Sequence, residues 1–193
     1  MGDHVAYFYR SNAERLAFVI PFIAIGLQRN ERCLYIAEDN SIPRIYRELE
    51  NAGVNVDEEQ KRGALSILTK RETYLRHGIF EPEKMITDLN NDVKYSLEHG
   101  FTGLRASGEM SWALDLPSAL ARLIEYEEKL QESWPAEFGG LCQYDQTRFS
   151  PELVQRMKSI HQIYVEDGKI VRHNTQPEFA AQKKAAMIEL RSR

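Results

Sequence analysis

His4-Val5-Ala6-Tyr7-Phe8-Tyr9-Arg10-Ser11-Asn12-Ala13-Glu14 sets the architecture of this chain. The first six residues read as a strand, and Ser11-Asn12-Ala13-Glu14 is a capping box that opens an apolar helix to about Gln28. A nucleotide triphosphate needs a glycine-rich loop between such a strand and helix, so that backbone amides cradle the phosphates and a Lys reaches the outer ones. Arg10-Ser11-Asn12-Ala13 has neither glycine nor a Lys-Ser/Thr pair, and no GxGxxG follows the strand. Phosphate binding in the usual place is therefore not expected.

Outward from this unit, short β-rich runs alternate with segments of helical period. Strands are expected at Arg32 to Ala37, Leu65 to Thr69, Phe101 to Ala106 and Gly140 to Tyr144. Between them lie helices marked by Ile42, Ile45 and Leu49, by Pro82 through Leu97, and by Leu116 through Leu130. Ser150-Pro151 starts a last helix to about Ile160, and Pro21 should kink or divide the first. Repeated βα units predict an α/β fold with a parallel sheet. Asp167-Gly168, between Gln162 to Val165 and Lys169 to Arg172, is a hairpin signal. The tail from Gln176 to Arg193 reads as a polar helix or frayed end beyond a domain of residues 1–175.

Composition bounds the function. A chain of 193 residues with 25 Lys plus Arg against 29 Asp plus Glu carries a net charge of −4, with no basic footprint for a nucleic acid. Leu16 to Leu27 is too short to span a bilayer, and the first residues lack the basic region of a secretory signal. The expectation is a cytoplasmic protein without membrane contact. Two distant cysteines, Cys33 and Cys142, form no CxxC and argue against a disulfide framework.

In an open parallel sheet, ligands sit beyond the carboxyl ends of the strands. The candidates there are Tyr9, Arg10 and Ser11; Glu38 and Asp39; Glu109 with Trp112 nearby; and Tyr144, Asp145 and Arg148. Glu109 is an acid leaving an apolar strand. Arg105, inside that strand, must meet a carboxylate such as Glu109 or Asp145, or an anionic ligand. Trp112 with Tyr9, Tyr35 and Tyr144 is able to wall an apolar pocket. His4 reads equally as a buried histidine and as a ligand-binding residue, and both cysteines read first as small buried hydrophobes. A metal site of His4, Cys33, Cys142 and His161 is chemically feasible, because N and S ligands suit zinc, but it lacks paired ligand spacing. Glu125-Tyr126-Glu127-Glu128 reads as a solvated helix face with one inward Tyr.

From His4 to His161, an ordered set of segments is similar to one family. It includes Tyr9-Arg10-Ser11, Glu31-Arg32-Cys33-Leu34-Tyr35-Ile36, Gly63-Ala64-Leu65, Gly100-Phe101-Thr102-Gly103-Leu104-Arg105, Gly108-Glu109-Met110 with Trp112, Tyr126-Glu127, and Cys142-Gln143-Tyr144-Asp145 with Arg148-Phe149-Ser150. Through these the chain resembles the MEDS family, the methanogen/methylotroph sensory domains of DcmR-type repressors. The resemblance implies a three-layer RecA/KaiC-like core without a phosphate loop, and a sensory role proposed to concern small hydrocarbon derivatives. The missing phosphate loop points to a non-catalytic domain without cofactor that passes its state to a regulatory partner such as a histidine kinase or transcription factor, and a homodimer is expected because a signal needs a second surface to move against. Glu38-Asp39 resembles the acidic pair that KaiC-like ATPases use to activate water, so a degenerate ATPase is the enzymatic alternative. A protein-interaction module working through the tail is the other. Asn30 stands where the family usually has Gly, and Gln162 where a Pro commonly follows the terminal His.

Overall fold

The computed structural model describes residues 2–38, 42–116, 118–132 and 134–173. The tail from residue 176 and Asp39 lie outside the described residues. The first strand, β1 (His4–Tyr9), leads into α1 (Asn12–Gln28), capped by Ser11, whose hydroxyl accepts from the Glu14 amide at 3.1 Å. Helix α1 is not divided at Pro21, which lies with Ala17 on the exposed side, where water can satisfy the Ala17 carbonyl that the missing N–H leaves without its helical donor. Next come β2 (Arg32–Ala37), α2 (Ile42–Asn51), a short α3 (Val56–Lys61) that periodicity does not reveal, and β3 (Leu65–Thr69). Helix α4 (Pro82–Glu98), β4 (Leu104–Glu109), a 3-10 turn (Ser111–Leu114) and α5 (Ala119–Glu132) follow. The described chain ends with β5 (Phe138–Asp145), α6 (Pro151–Ile160), β6 (Ile163–Glu166) and β7 (Lys169–Arg172).

The seven strands form one sheet in the order β3-β2-β4-β5-β1-β6-β7, parallel except for the antiparallel β6–β7 hairpin. That hairpin turns on Asp167 and Gly168 with φ of 49° and 70°, the left-handed pair that an Asp-Gly turn supplies. Helices cover both faces. Leu16, Val19 and Ile23 of α1 with Ile45 and Leu49 of α2 pack on one, while Met85, Leu89, Leu123, Met157 and Ile160 of α4, α5 and α6 pack on the other. This is the expected three-layer α/β sandwich, and a sheet buried on both sides explains why its strands read as nearly continuous apolar runs.

Two local differences matter. Strand β4 starts three residues later than expected and runs to Glu109, so that carboxylate ends the strand rather than lying in the loop after it. Gly108 is needed because a Cβ there would overlap the Tyr74 hydroxyl. Asn30 adopts φ of 57°, a conformation Asn tolerates better than most residues, and its side chain donates to the Gly100 carbonyl at 2.9 Å. The turn expected of a glycine is thus kept by an asparagine.

Candidate functional site

A cleft of about 540 Å³ opens at the carboxyl edge of the sheet. Seven of the candidates line it: Tyr9, Arg10 and Ser11 after β1, Glu38 after β2, Glu109 at the end of β4, Asp145 at the end of β5 and Arg148 beyond it. Asn12, Arg15, Arg44 and Ser111 complete the lining. Arg15 and Arg44 were missed by sequence reading because each sits in an ordinary helical pattern, where nothing marks it as turned toward the strand ends.

The floor of the cleft is a buried ion pair between Arg15 and Glu109. Tyr35 bridges them, its hydroxyl accepting from Arg15 Nη1 and donating to Glu109 Oε1, each at 2.7 Å. Asn12 Oδ1 accepts from Arg15 Nε and Nη2 at 3.0 and 2.7 Å and fixes the guanidinium plane. Burial opposes the Arg15 charge, but Tyr35 and Glu109 more than offset it and hold its pKa above the ordinary value. Burial, with Glu109 alongside, pushes the Tyr35 hydroxyl well up, so it remains a protonated donor.

Three arginines stand on the rim. Arg10 pairs with Asp167 at 2.9 Å, Arg148 with Asp115 at 2.9 Å, and Arg44 has no ion-pair partner among the described residues. Glu38 is held by Lys70 at 3.0 Å. Two amides around the start of α1, where a phosphate loop would work, are engaged within the chain, those of Glu14 and Arg10. Ser11 caps the Glu14 amide, and the Glu14 carboxylate accepts from the Arg10 amide at 2.8 Å.

His4, Arg105, Trp112 and Tyr144 lie elsewhere, Arg105 because of its distance along β4, Trp112 because of the 3-10 turn, and His4 and Tyr144 because of the pleat of the sheet. Alternate side chains point to opposite faces. Arg105 stands near the amino end of β4 and pairs with Glu31, not with Glu109 or Asp145. Trp112 packs in the core against Tyr74 and Phe80, with ring centroids at 4.9 and 4.8 Å, and does not line the cleft. Tyr35 faces the α1 layer and Tyr144 the α5 layer, so the expected aromatic wall does not form.

His4 and Tyr144 instead join a buried cluster on the face covered by α5 and α6. Tyr144 donates to Glu127 Oε1 at 2.7 Å, and His4 Nε2 lies 3.0 Å from Glu127 Oε2. His161 and Cys142 complete it. Glu127 is fully buried, so the acidic stretch of α5 is not the solvated face its charges indicated. Burial penalises the Glu127 charge, yet hydrogen bonds from His161 and His4 outweigh that penalty and hold its carboxyl below the usual range. Burial and the adjacent His161 lower the His4 pKa, while burial and Glu127 push the Cys142 thiol well up.

Cys33 is not part of this cluster. It lies on the opposite face, with Sγ 3.6 Å from the Ile23 carbonyl, and burial pushes its thiol up to about 12. Both thiols are therefore expected to resist Ellman's reagent in the folded protein at neutral pH and to react only after denaturation. Prompt reaction of either without unfolding would contradict this burial.

Among the described residues no helix is long and apolar enough to cross a membrane. No curated protein matches the sequence. Among solved structures, a KaiC-like protein from the hyperthermophilic archaeon Pyrococcus horikoshii OT3 superposes with a TM-score of 0.58 at 15% identity. The match covers 84% of this chain and 69% of that one, and shows a shared fold. The profile of the MEDS family, the methanogen/methylotroph, DcmR sensory domain, matches residues 3–162. With a KaiC-like sheet, no phosphate loop and that match over most of its length, the chain belongs to the MEDS family of sensory domains.

Proposed function

We propose that this chain is a non-catalytic sensory domain whose carboxyl-edge cleft binds a small organic molecule bearing an anionic group and reports its presence to a separate regulatory protein, such as a histidine kinase or transcription factor. The observation that carries this reading is the lining of the cleft. Arg10, Arg44 and Arg148 bring three guanidinium groups to the cleft, and Arg44 has no ion-pair partner among the described residues, so its charge is open to an anionic group. Guanidinium groups around a cleft of this size suit a carboxylate on a short carbon skeleton better than an uncharged hydrocarbon. The family description supports the sensory role.

Calorimetry with short-chain carboxylates, matched alcohols and chlorinated hydrocarbons tests the reading. Saturable binding of a carboxylate is expected, weakened at least about 10-fold by Arg44→Ala or Arg148→Ala, since a hydrogen bond to a charged group contributes about 1.5–3 kcal/mol. Binding only of the uncharged compounds, no binding at all, or indifference to both substitutions would sink it.

The fold likeness favours one rival, a degenerate KaiC-like ATPase using Glu38. Its carboxylate pairs with Lys70, and the Glu14 and Arg10 amides beside the start of α1 are taken by the Ser11 hydroxyl and the Glu14 carboxylate. Steady-state ATP turnover lost in Glu38→Gln would favour that rival.

A further inference from the structure

Four side chains from four elements meet on the face of the sheet opposite the Arg15–Glu109 pair: His4 at the start of β1, Glu127 on α5, Cys142 in β5 and His161 at the end of α6. We propose that this quartet is a closed binding site for a single divalent transition-metal ion, zinc by the chemistry of its ligands. The inference is independent of the ligand assigned to the cleft.

Ligand spacing is the first argument. Zinc bonds of about 2.0–2.1 Å to nitrogen and oxygen and about 2.3 Å to sulfur place tetrahedral ligand atoms about 3.3 Å apart, or about 3.5 Å where sulfur is one of them. Here His4 Nε2 lies 3.1 Å from His161 Nε2, 3.0 Å from Glu127 Oε2 and 3.4 Å from Cys142 Sγ. Glu127 Oε2 lies 3.4 Å from His161 Nε2 and 3.6 Å from Cys142 Sγ. All four atoms fall within 4.8 Å of one another. Five edges of the tetrahedron therefore already have nearly the length that a central ion imposes.

Tautomer and charge give the second and third. His161 Nδ1 sits 2.8 Å from the Met157 carbonyl, which can only accept, so Nδ1 carries a hydrogen, and in the neutral imidazole that a metal takes Nε2 then turns its lone pair into the quartet. A backbone carbonyl holding the far nitrogen is the usual support for a metal-bound imidazole. The four residues are buried, and an isolated charge among them is costly. A divalent ion with the Glu127 carboxylate, a Cys142 thiolate and two neutral imidazoles sums to zero; the thiol proton is released to solvent on binding. Such an ion joins β1, β5, α5 and α6 at one point, and four protein ligands leave it no open position for catalysis.

The test uses the whole chain. Produced with zinc in the medium and dialysed into metal-free buffer, it is expected to retain about one zinc per chain by mass spectrometry of the metal. Refolding with Co²⁺ should give thiolate-to-cobalt charge-transfer absorption. It should also quench Trp134, whose ring stacks on His4 at 4.5 Å. Cys142→Ser and Glu127→Gln should each weaken retention at least about 100-fold, whereas Cys33→Ser should leave it unchanged. Wild-type protein that keeps no stoichiometric metal and gives no cobalt spectrum overturns the proposal, whatever the variants do. So does a charge-transfer spectrum that survives Cys142→Ser.

Discussion

Replacing Trp112 with alanine is expected to destabilise the fold by about 3–5 kcal/mol, measured as a shifted midpoint of chemical denaturation. Trp112 is 1% exposed and stacks on Tyr74 with its edge toward Phe80, which in turn meets Tyr126 at 5.4 Å. Truncation removes the centre of that stack and leaves a cavity between β4 and the α4–α5 layer. The indole N–H has no partner among the described residues, so Trp112→Phe loses packing volume but no hydrogen bond and should cost much less. Loss of small-molecule binding in Trp112→Ala with stability unchanged would return this side chain to a ligand pocket.

Arg15→Met is expected to cost a comparable amount, about 3–5 kcal/mol, because it removes the buried cation that faces the Glu109 carboxylate at the floor of the cleft. The expected signature is in the double variant. Arg15→Met with Glu109→Leu removes both charges and should be more stable than Arg15→Met alone, since a well-packed apolar pair can replace a buried ion pair at little net cost. A thermodynamic cycle should show coupling of at least about 1 kcal/mol between the two sites. Strictly additive effects would mean that the pair does not act as a unit. Because Tyr35 hydrogen-bonds both partners, Tyr35→Phe should weaken the coupling without abolishing it.

The contrast between Glu109 and Trp112 shows what could be read in advance. Both read as candidates at the carboxyl edge, where parallel sheets place their ligands. Glu109 does reach the cleft. Trp112, three residues on, enters a 3-10 turn that rotates its ring into the core. Cys33 and Cys142 differ in the same way. Each sits among apolar residues in a central strand, and register alone sends one toward α1 and the other toward α5 and His4.

The alternation of strands and helices, the capped turn at Ser11 without glycine, the Asp-Gly hairpin and the kinship of the chain were all decided by local residue order. Each depends on backbone preferences or on motifs contained within a few residues. Which side chains share a cavity was settled only in three dimensions. Strand residues alternate between faces, so a slip of one position in reading a strand exchanges core for site. Long-range packing then chose the partners: Glu31 rather than Glu109 for Arg105, Arg15 for Glu109, and Glu127, hidden in an acidic helical stretch, for His4 and His161.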